Sequence, residues 1–132
     1  MPHHPHALTA TVYATDARRL ADFYADVLSL ERAEVGETFV VLASETVELA
    51  VVQMPPAIAE TIVVAEPPVV REDTPIKLSF LVDDAERVRL VVVRSGGGLA
   101  APEAAWTWRG HLHLDGWDLE GNVFQLRQVV AE

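Results

Sequence analysis

The sequence contains no cysteine, no long hydrophobic run and only ten lysine and arginine residues against twenty acidic ones. Without cysteine the chain can form neither disulfides nor thiolate zinc sites, and it has no thiol nucleophile. The net charge of −10 argues against nucleic acid as a partner, because phosphate neutralisation requires clustered cations. The longest apolar runs, such as residues 91–93, are too short to cross a bilayer, so we expect no membrane segment.

The length of 132 residues, half of them hydrophobic, suits one domain or two half-size modules that share a core. The first six residues include His3, His4 and His6 and are interrupted by proline. We interpret them as a flexible tail rather than as a metal site. No cationic stretch precedes an apolar one there, which predicts no signal peptide and a cytoplasmic protein.

A repeated pattern divides the chain into two halves, with Asp16 aligned on Asp84 at an offset of 68 residues. Each half begins with a strand of alternating apolar residues, and each aspartate is placed to cap the following helix. The first helix has an apolar stripe at helical spacing, and the second repeats it. The stripe residues are Leu20, Phe23, Tyr24, Val27 and Leu28, then Val88, Val91 and Val92. Three glycines, residues 96–98, are predicted to end the second helix.

Short strand-like runs follow each helix, so each half has the order strand, helix, strand, strand, strand. The first module is predicted over residues 7–53 and the second over residues 76–130. Residues 54–75 hold five prolines and are interpreted as a linker between them.

Two motifs resemble the vicinal oxygen chelate superfamily, which comprises glyoxalases, bleomycin resistance proteins and extradiol dioxygenases. Asp16, Phe23-Tyr24 and Leu28-Ser29-Leu30 are similar to that family's first-helix signature, with Ser29 in place of the usual glycine. The stretch from Asp118 through Gly121-Asn122 to Leu126 resembles its final turn and last strand. The resemblance implies an α+β fold of two tandem βαβββ modules that form a curved, cup-shaped mixed sheet with the helices outside.

The resemblance also places metal ligands at four equivalent points, which correspond here to Thr9, Glu48, Lys77 and Gln125. Glu48 is a good ligand, but Lys77 has no free lone pair and carries the charge of the metal. We therefore predict no metal and no cofactor. Lys77 is expected to pair with Glu48 or to contact an oxygen of a ligand, and the sequence leaves both alternatives open.

Further ligand-binding residues are predicted on the polar strand faces and on a pair of tryptophans. Alternation places Thr11, Tyr13 and Ser79 on the face that would line the cup. Trp106 and Trp108 share a strand face and are interpreted as a stacking wall, with a core or dimer contact as the alternative. Phe39 is a weaker candidate, and His111 and His113 are assigned a core or surface role.

The function predicted from these features is metal-independent binding of a small molecule. The resemblance to bleomycin resistance proteins implies that the ligand would be an antibiotic or another hydrophobic or cationic compound, held in the cup of a homodimer. The acidity of the chain suits a cation, because acidic proteins attract cations. The alternative is a glyoxalase-like lyase, isomerase or dioxygenase with a divergent or absent metal site. A dimeric scaffold without a ligand is the third hypothesis.

Overall fold

The computed structural model describes residues 6–130 and divides the chain into two compact units, one up to Val63 and one from Val64. We call them unit 1 and unit 2. Each combines a helix with a β-sheet, which confirms the predicted α+β class. The predicted tail lies outside the described residues except for His6, whose Nε2 donates to the carbonyl oxygen of Ser44 at 3.0 Å.

Unit 1 has the predicted order of one strand, one helix and three strands. Its elements are β1 (Ala10–Ala14), α1 (Ala17–Leu28), β2 (Glu31–Val35), β3 (Phe39–Ala43) and β4 (Glu48–Gln53). The strand order is β1-β4-β3-β2, with β1 parallel to β4 and the other neighbours antiparallel. Helix α1 packs on one face of this sheet. The other face, on which Thr11 and Tyr13 are exposed, is called the open face below.

The core of unit 1 lies between α1 and the sheet. Asp16 caps the helix as predicted, its carboxylate accepting from the backbone N–H of Arg19 at 3.2 Å. Because α1 is amphipathic, its apolar stripe meets the buried alternate residues of β3 and β4. The buried set includes Leu20, Phe23, Tyr24, Val27, Val40, Leu42, Leu49 and Val51.

Helix α1 ends at Ser29, which adopts the left-handed conformation with φ 54° and ψ 45°. Its N–H donates to the carbonyl oxygen of Ala25 and completes the C-cap. Left-handed backbone costs a residue with a Cβ about 1 kcal/mol or more, whereas glycine adopts it freely. The serine found in place of the family's glycine therefore keeps the geometry of the helix end at some cost in stability.

We expect Ser29→Gly to raise the free energy of unfolding by about 0.5–1 kcal/mol, because it removes this cost. The matched control is Ser95→Gly at the end of the second long helix, where φ is −91° and glycine relieves nothing. Urea unfolding of both variants measures the difference. Equal effects of the two substitutions would contradict the assignment of strain to Ser29.

The predicted linker contains a short helix, α2 (Pro56–Ala59), and is divided between the two units. Its second part packs within unit 2, where the backbone N–H of Arg71 donates to the carbonyl oxygen of Gly121 at 2.9 Å. That stretch is therefore part of the packing of unit 2.

Unit 2 repeats the order of unit 1 with one added short strand. Its elements are β5 (Leu78–Leu81), α3 (Ala85–Arg94), β6 (Gly98–Leu99), β7 (Trp106–Trp108), β8 (His111–Trp117) and β9 (Val123–Val129). The strand order is β5-β9-β8-β6, with β5 parallel to β9, and β7 pairs with β8. As predicted, Asp84 caps α3 by accepting from the backbone N–H groups of Glu86 and Arg87.

Strand β6 corrects the interpretation of the three glycines as a helix end. Only Gly96 has the left-handed φ, 96°, that a cap favours. Gly98 belongs to β6 and lies against Trp117, so that a Cβ at this position would be 2.3 Å from the indole ring. A glycine is therefore required at position 98, because any side chain there would collide with Trp117.

Arg89 ties α3 to the strand that follows it. Its guanidinium donates to the carbonyl oxygens of Leu99 and Ala100 at 3.3 and 2.9 Å, and to both carboxylate oxygens of Glu86. The hydrogen bond from Arg89 holds the pKa of the Glu86 carboxyl below its ordinary value. Since this pair is on the surface, it orients the helix more than it stabilises the fold.

The strand registers correct one step of the sequence alignment. Thr11 and Ser79 are equivalent at the offset of 68; Thr11 pairs with Ala50, whereas Ser79 pairs with Gln125. Gln125 therefore corresponds to Ala50 and not to Glu48, and the assignment of Glu48 and Gln125 to equivalent points is wrong by two residues.

A pair of glutamines supports the corrected register. Gln53 at the end of β4 accepts from the backbone N–H of Ala17 at 2.9 Å, and Gln128 in β9 accepts from that of Ala85 at 2.7 Å. Each last strand thus supplies a hydrogen bond to the first turn of its helix, where backbone N–H groups lack helical partners. This second cap was not predicted from the sequence.

The turn between β8 and β9 has the predicted chemistry. Asp118 is fully buried, and its carboxylate accepts from the backbone N–H groups of Glu120 and Asn122 and from the Asn122 amide. Gly121 occupies the positive-φ position at 87°. Within residues 6–130, no helix is long and apolar enough to cross a membrane.

Candidate functional site

A pocket of about 400 Å³ lies on the sheet of unit 2. Alternation explains which side chains reach it: Gln128 points to the N-terminus of α3, so Gln125 and Arg127 project from the opposite face of β9. Across the strands, Arg127 pairs with His113, which projects from the same face of β8. The lining comes from unit 2 alone and consists of Ser79, Trp108, Arg109, His111, His113, Gln125 and Arg127.

A tight hairpin between β7 and β8 forms one side of the pocket. Trp108 pairs with His111, so that only Arg109 and Gly110 connect the strands, with φ values of 52° and 77°. Two successive positive φ angles are typical of a type I′ turn, in which Asn-Gly is the preferred sequence. The turn places the Arg109 guanidinium 5.4 Å from the centroid of the Trp108 ring.

His113 is buried beside two tryptophans. Its ring stacks on Trp106 with centroids 5.4 Å apart and planes at 14°, and it lies 5.8 Å from Trp108. Its Nε2 lies 3.2 Å from the carbonyl oxygen of Trp108. Because a carbonyl only accepts, Nε2 carries the hydrogen, and Nδ1 of the neutral ring is an acceptor. Among residues 6–130, nothing pairs with this buried Nδ1.

His111 is held by the same hairpin, with Nδ1 donating to the carbonyl oxygen of Arg109 at 2.9 Å. The core or surface role assigned to His111 and His113 is therefore incomplete, because both line the pocket. The lining includes two arginines and no carboxylate, and within the described part of the chain no ion pair neutralises either guanidinium. The charge of this pocket is thus opposite to that of the chain.

Lys77 pairs with a residue that the sequence did not indicate. Its Nζ donates to Oδ2 of Asp115 at 3.0 Å, and Asp115 lies opposite Gln125 in the sheet. The predicted pairing of Lys77 with Glu48 is replaced by this ion pair. In unit 1, Glu48 has its Oε1 3.9 Å from Nδ1 of His6.

The residues at the four positions to which the resemblance assigns metal ligands do not fit a divalent ion. Unit 2 contributes Lys77, a cation already paired, and Gln125, a weak ligand. Unit 1 contributes Glu48 and Thr9, of which only the carboxylate is a good ligand. In residues 6–130, no three histidine, aspartate or glutamate side chains are grouped to hold a metal ion.

The predicted site residues divide between the two units. In unit 2, Ser79, Gln125 and Trp108 line the pocket, Trp106 supports His113, and Lys77 pairs with Asp115. In unit 1, Tyr13 and Thr11 are exposed on β1, Thr9 precedes this strand and Glu48 begins β4. Tyr13 and Phe39 both pair with Val52 and form an apolar row on the open face of that sheet.

Three functional candidates were missed: Arg109, Arg127 and Asp115. Period-two alternation could have identified Arg127, because it follows Gln125 at the next position on the same strand face. The same alternation places Asp115 with His111 and His113. No sequence signal marks Arg109, whose position depends on an unusual backbone conformation.

Residues 9–127 match the family model described as a glyoxalase-like domain. No curated protein sequence matches the chain.

Solved structures share the fold at low sequence identity. One is a glyoxalase/bleomycin resistance protein/dioxygenase family enzyme from Burkholderia phytofirmans PsJN, 17% identical with a TM-score of 0.67, covering 92% of this chain and 98% of that one. Another is the fosfomycin resistance protein FosX from Mesorhizobium loti, 13% identical with a TM-score of 0.65, covering 97% and 95%. FosX from Listeria monocytogenes, as a mutant with Mn(II) and dihydroxypropylphosphonic acid, is 9% identical with a TM-score of 0.66, covering 97% and 95%.

Proposed function

Because the chain belongs to the family of glyoxalase-like domains, we propose that it is a metal-independent small-molecule-binding protein of the glyoxalase/bleomycin-resistance type. The observation that carries the proposal is the unit 2 pocket, which combines an exposed tryptophan face with several uncompensated polar groups. Ligand sites in proteins typically join an apolar wall to a few such groups.

The residues at the four positions where the resemblance places metal ligands support the metal-independent part of this proposal. The Lys77 ammonium has no lone pair to offer a metal ion, and it holds the neighbouring Asp115 carboxylate in an ion pair at 3.0 Å. Antibiotics are one class of ligand that such a protein could sequester, as in the bleomycin-resistance type.

The test is a thermal-shift and calorimetric screen of planar aromatic compounds on the full chain, with and without EDTA. We expect binding that EDTA leaves unchanged and that Trp108→Ala weakens about tenfold, since the tryptophan would lose its stacking contact. Tyr13→Ala is the matched control, because it truncates an exposed aromatic residue in unit 1.

Two results would contradict the proposal. Binding that is lost with EDTA, together with a stoichiometric metal in the purified protein, would favour the glyoxalase-like lyase, isomerase or dioxygenase. Binding that is lost in Tyr13→Ala and kept in Trp108→Ala would place the site in unit 1. The homodimer and the cytoplasmic location stay predictions from the sequence.

A further inference from the structure

The unit 2 pocket presents three kinds of group that together define a ligand class. We propose that it binds a planar aromatic carboxylate with a hydroxyl group on the ring, at a position from which this hydroxyl cannot hydrogen-bond to the carboxylate. Arg109 and Arg127 would hold the anion, Trp108 would stack on the ring, and Nδ1 of His113 would accept from the hydroxyl. This inference rests on the proposed function, because it assigns a ligand to the same pocket.

The anionic group follows from the two arginines in the lining. The other charges at this face cancel, since Asp115, which pairs with Gln125 across the sheet, is neutralised by Lys77. A guanidinium presents a planar fork of N–H donors that matches the two oxygens of a carboxylate. The scattered carboxylates of the acidic chain oppose binding little, because charges more than about 8 Å away are largely screened at physiological salt.

The aromatic ring follows from Trp108, which is 60% exposed at the edge of the sheet. Arg109 lies over its ring, and His113 approaches it at a tilt of 53°. A planar ligand that stacks there would bury apolar surface while its carboxylate stays within reach of the arginine. The stack is favourable because offset aromatic rings attract one another beyond the area they bury.

The hydroxyl group follows from His113, which is 5% exposed and has an unpaired Nδ1. A buried acceptor without a partner is costly, so a donor that reaches it is favoured. Arginine side chains cannot accept, and a carboxylate cannot donate. A ligand that satisfies both therefore requires an anionic oxygen and a separate hydrogen-bond donor, and on an aromatic carboxylate a ring hydroxyl is the simplest such donor.

The backbone of Arg109 adds a further observation. A left-handed φ of 52° is unfavourable for arginine, and the first central position of this turn type prefers asparagine. Residues in such conformations are often found where their position serves function. Here the conformation places the guanidinium over Trp108 at the rim of the pocket.

The experiment titrates the ¹⁵N-labelled full chain with 3-hydroxybenzoate, benzoate, indole and benzamidine. The chain has three tryptophans, so three indole N–H signals are expected. We expect 3-hydroxybenzoate and benzoate to move the Trp106 and Trp108 signals, with 3-hydroxybenzoate binding about threefold to tenfold more tightly. Indole should bind more weakly than benzoate, and benzamidine, a planar cation, should not bind.

Three variants and one control separate the contributions. Arg127→Gln should weaken the binding of both carboxylates about tenfold, whereas the control Arg87→Gln, the same change on the exposed surface of α3, should have no effect. His113→Phe should abolish the preference for 3-hydroxybenzoate over benzoate, because it keeps a ring for stacking and removes the acceptor. Arg109→Asn should weaken the binding of both carboxylates. It should also raise the free energy of unfolding, since asparagine is preferred at this position of the turn.

Four results would overturn the inference. Benzamidine or indole binding as tightly as benzoate, at Trp106 and Trp108, would exclude an anionic ligand and leave the proposed function standing. Equal affinity for 3-hydroxybenzoate and benzoate would exclude the role of His113 Nδ1. Unchanged affinity in Arg127→Gln would exclude the anion site. No movement of these two signals with any probe would contradict the proposed function as well.

Discussion

Replacing Gly121 by alanine is expected to lower the free energy of unfolding by about 3 kcal/mol. Two causes add at this position. The backbone has φ 87°, which costs a residue with a Cβ about 1 kcal/mol. The added Cβ would also lie 2.1 Å from the carbonyl oxygen of Val69, far inside contact distance. The backbone around Val69 must then move, and the hydrogen bond from Arg71 to Gly121 is lost.

Gly110→Ala is the matched control for this prediction. Gly110 has a similar φ of 77°, but a Cβ there meets no atom within 4 Å. It should therefore lose only the conformational part, about 1 kcal/mol. Urea denaturation of both variants measures the difference. If Gly121→Ala lowered the free energy of unfolding no more than Gly110→Ala does, the backbone around Val69 would have moved aside at no cost in stability, contrary to the prediction.

Replacing Asp118 by alanine is expected to cost about 3 kcal/mol, because it removes a buried acceptor for several donors. The carboxylate receives the backbone N–H groups of Glu120 and Asn122 at 2.9 and 3.1 Å, and the Asn122 amide at 2.9 Å. After the substitution these donors have neither that partner nor free access to water. Asp118→Asn keeps one acceptor oxygen and should lose about half as much.

Asp83→Ala provides the reference for Asp118, since Asp83 is exposed and the same atoms are removed there. A surface change of this kind usually alters stability by less than about 0.5 kcal/mol. Denaturant unfolding compares the three variants. If Asp118→Ala and Asp83→Ala lost the same stability, the hydrogen bonds in the turn would be excluded as a source of it. Should Asp118→Ala not fold, Asp118→Asn still tests the point.

The features that the sequence predicted correctly depend on interactions between residues that are close together in the chain. Asp16, Asp84 and Asp118 accept from backbone N–H groups within four residues, so these roles follow from the order of the chain. The apolar stripe of α1 likewise depends on helical spacing alone. These features identified both modules and their element order.

The alignment of Glu48 with Gln125 shows what alternation cannot determine. Apolar and polar residues alternate with a period of two, so a strand shifted by two residues has the same pattern. The pairing with the parallel strand decides between the two registers, and that pairing joins residues far apart in the chain. The glutamines that mark the true register, Gln53 and Gln128, end stretches of different pattern, Glu-Leu-Ala-Val-Val and Val-Phe-Gln-Leu-Arg.

The pocket was predicted only in part for a related reason. Ser79 and Trp108 were identified from strand faces and Gln125 from the family resemblance, whereas the charge of the site was inferred from the whole chain. The arginines that determine the charge of the pocket are two of ten basic residues, so the net charge does not report them. The Lys77–Asp115 ion pair also joins separate strands, and the sequence alone does not indicate it.

The glutamine caps have a consequence for the order of events in folding. Gln53 and Gln128 bond to helix residues 36 and 43 positions earlier in the chain. A helix can begin to form within about a microsecond, but these caps close only when the final strand of the module arrives. Each module must therefore bring its two ends together before its helix is fully bonded, and the long loop makes that step slow. We infer that the two ends of a module become protected from hydrogen exchange together.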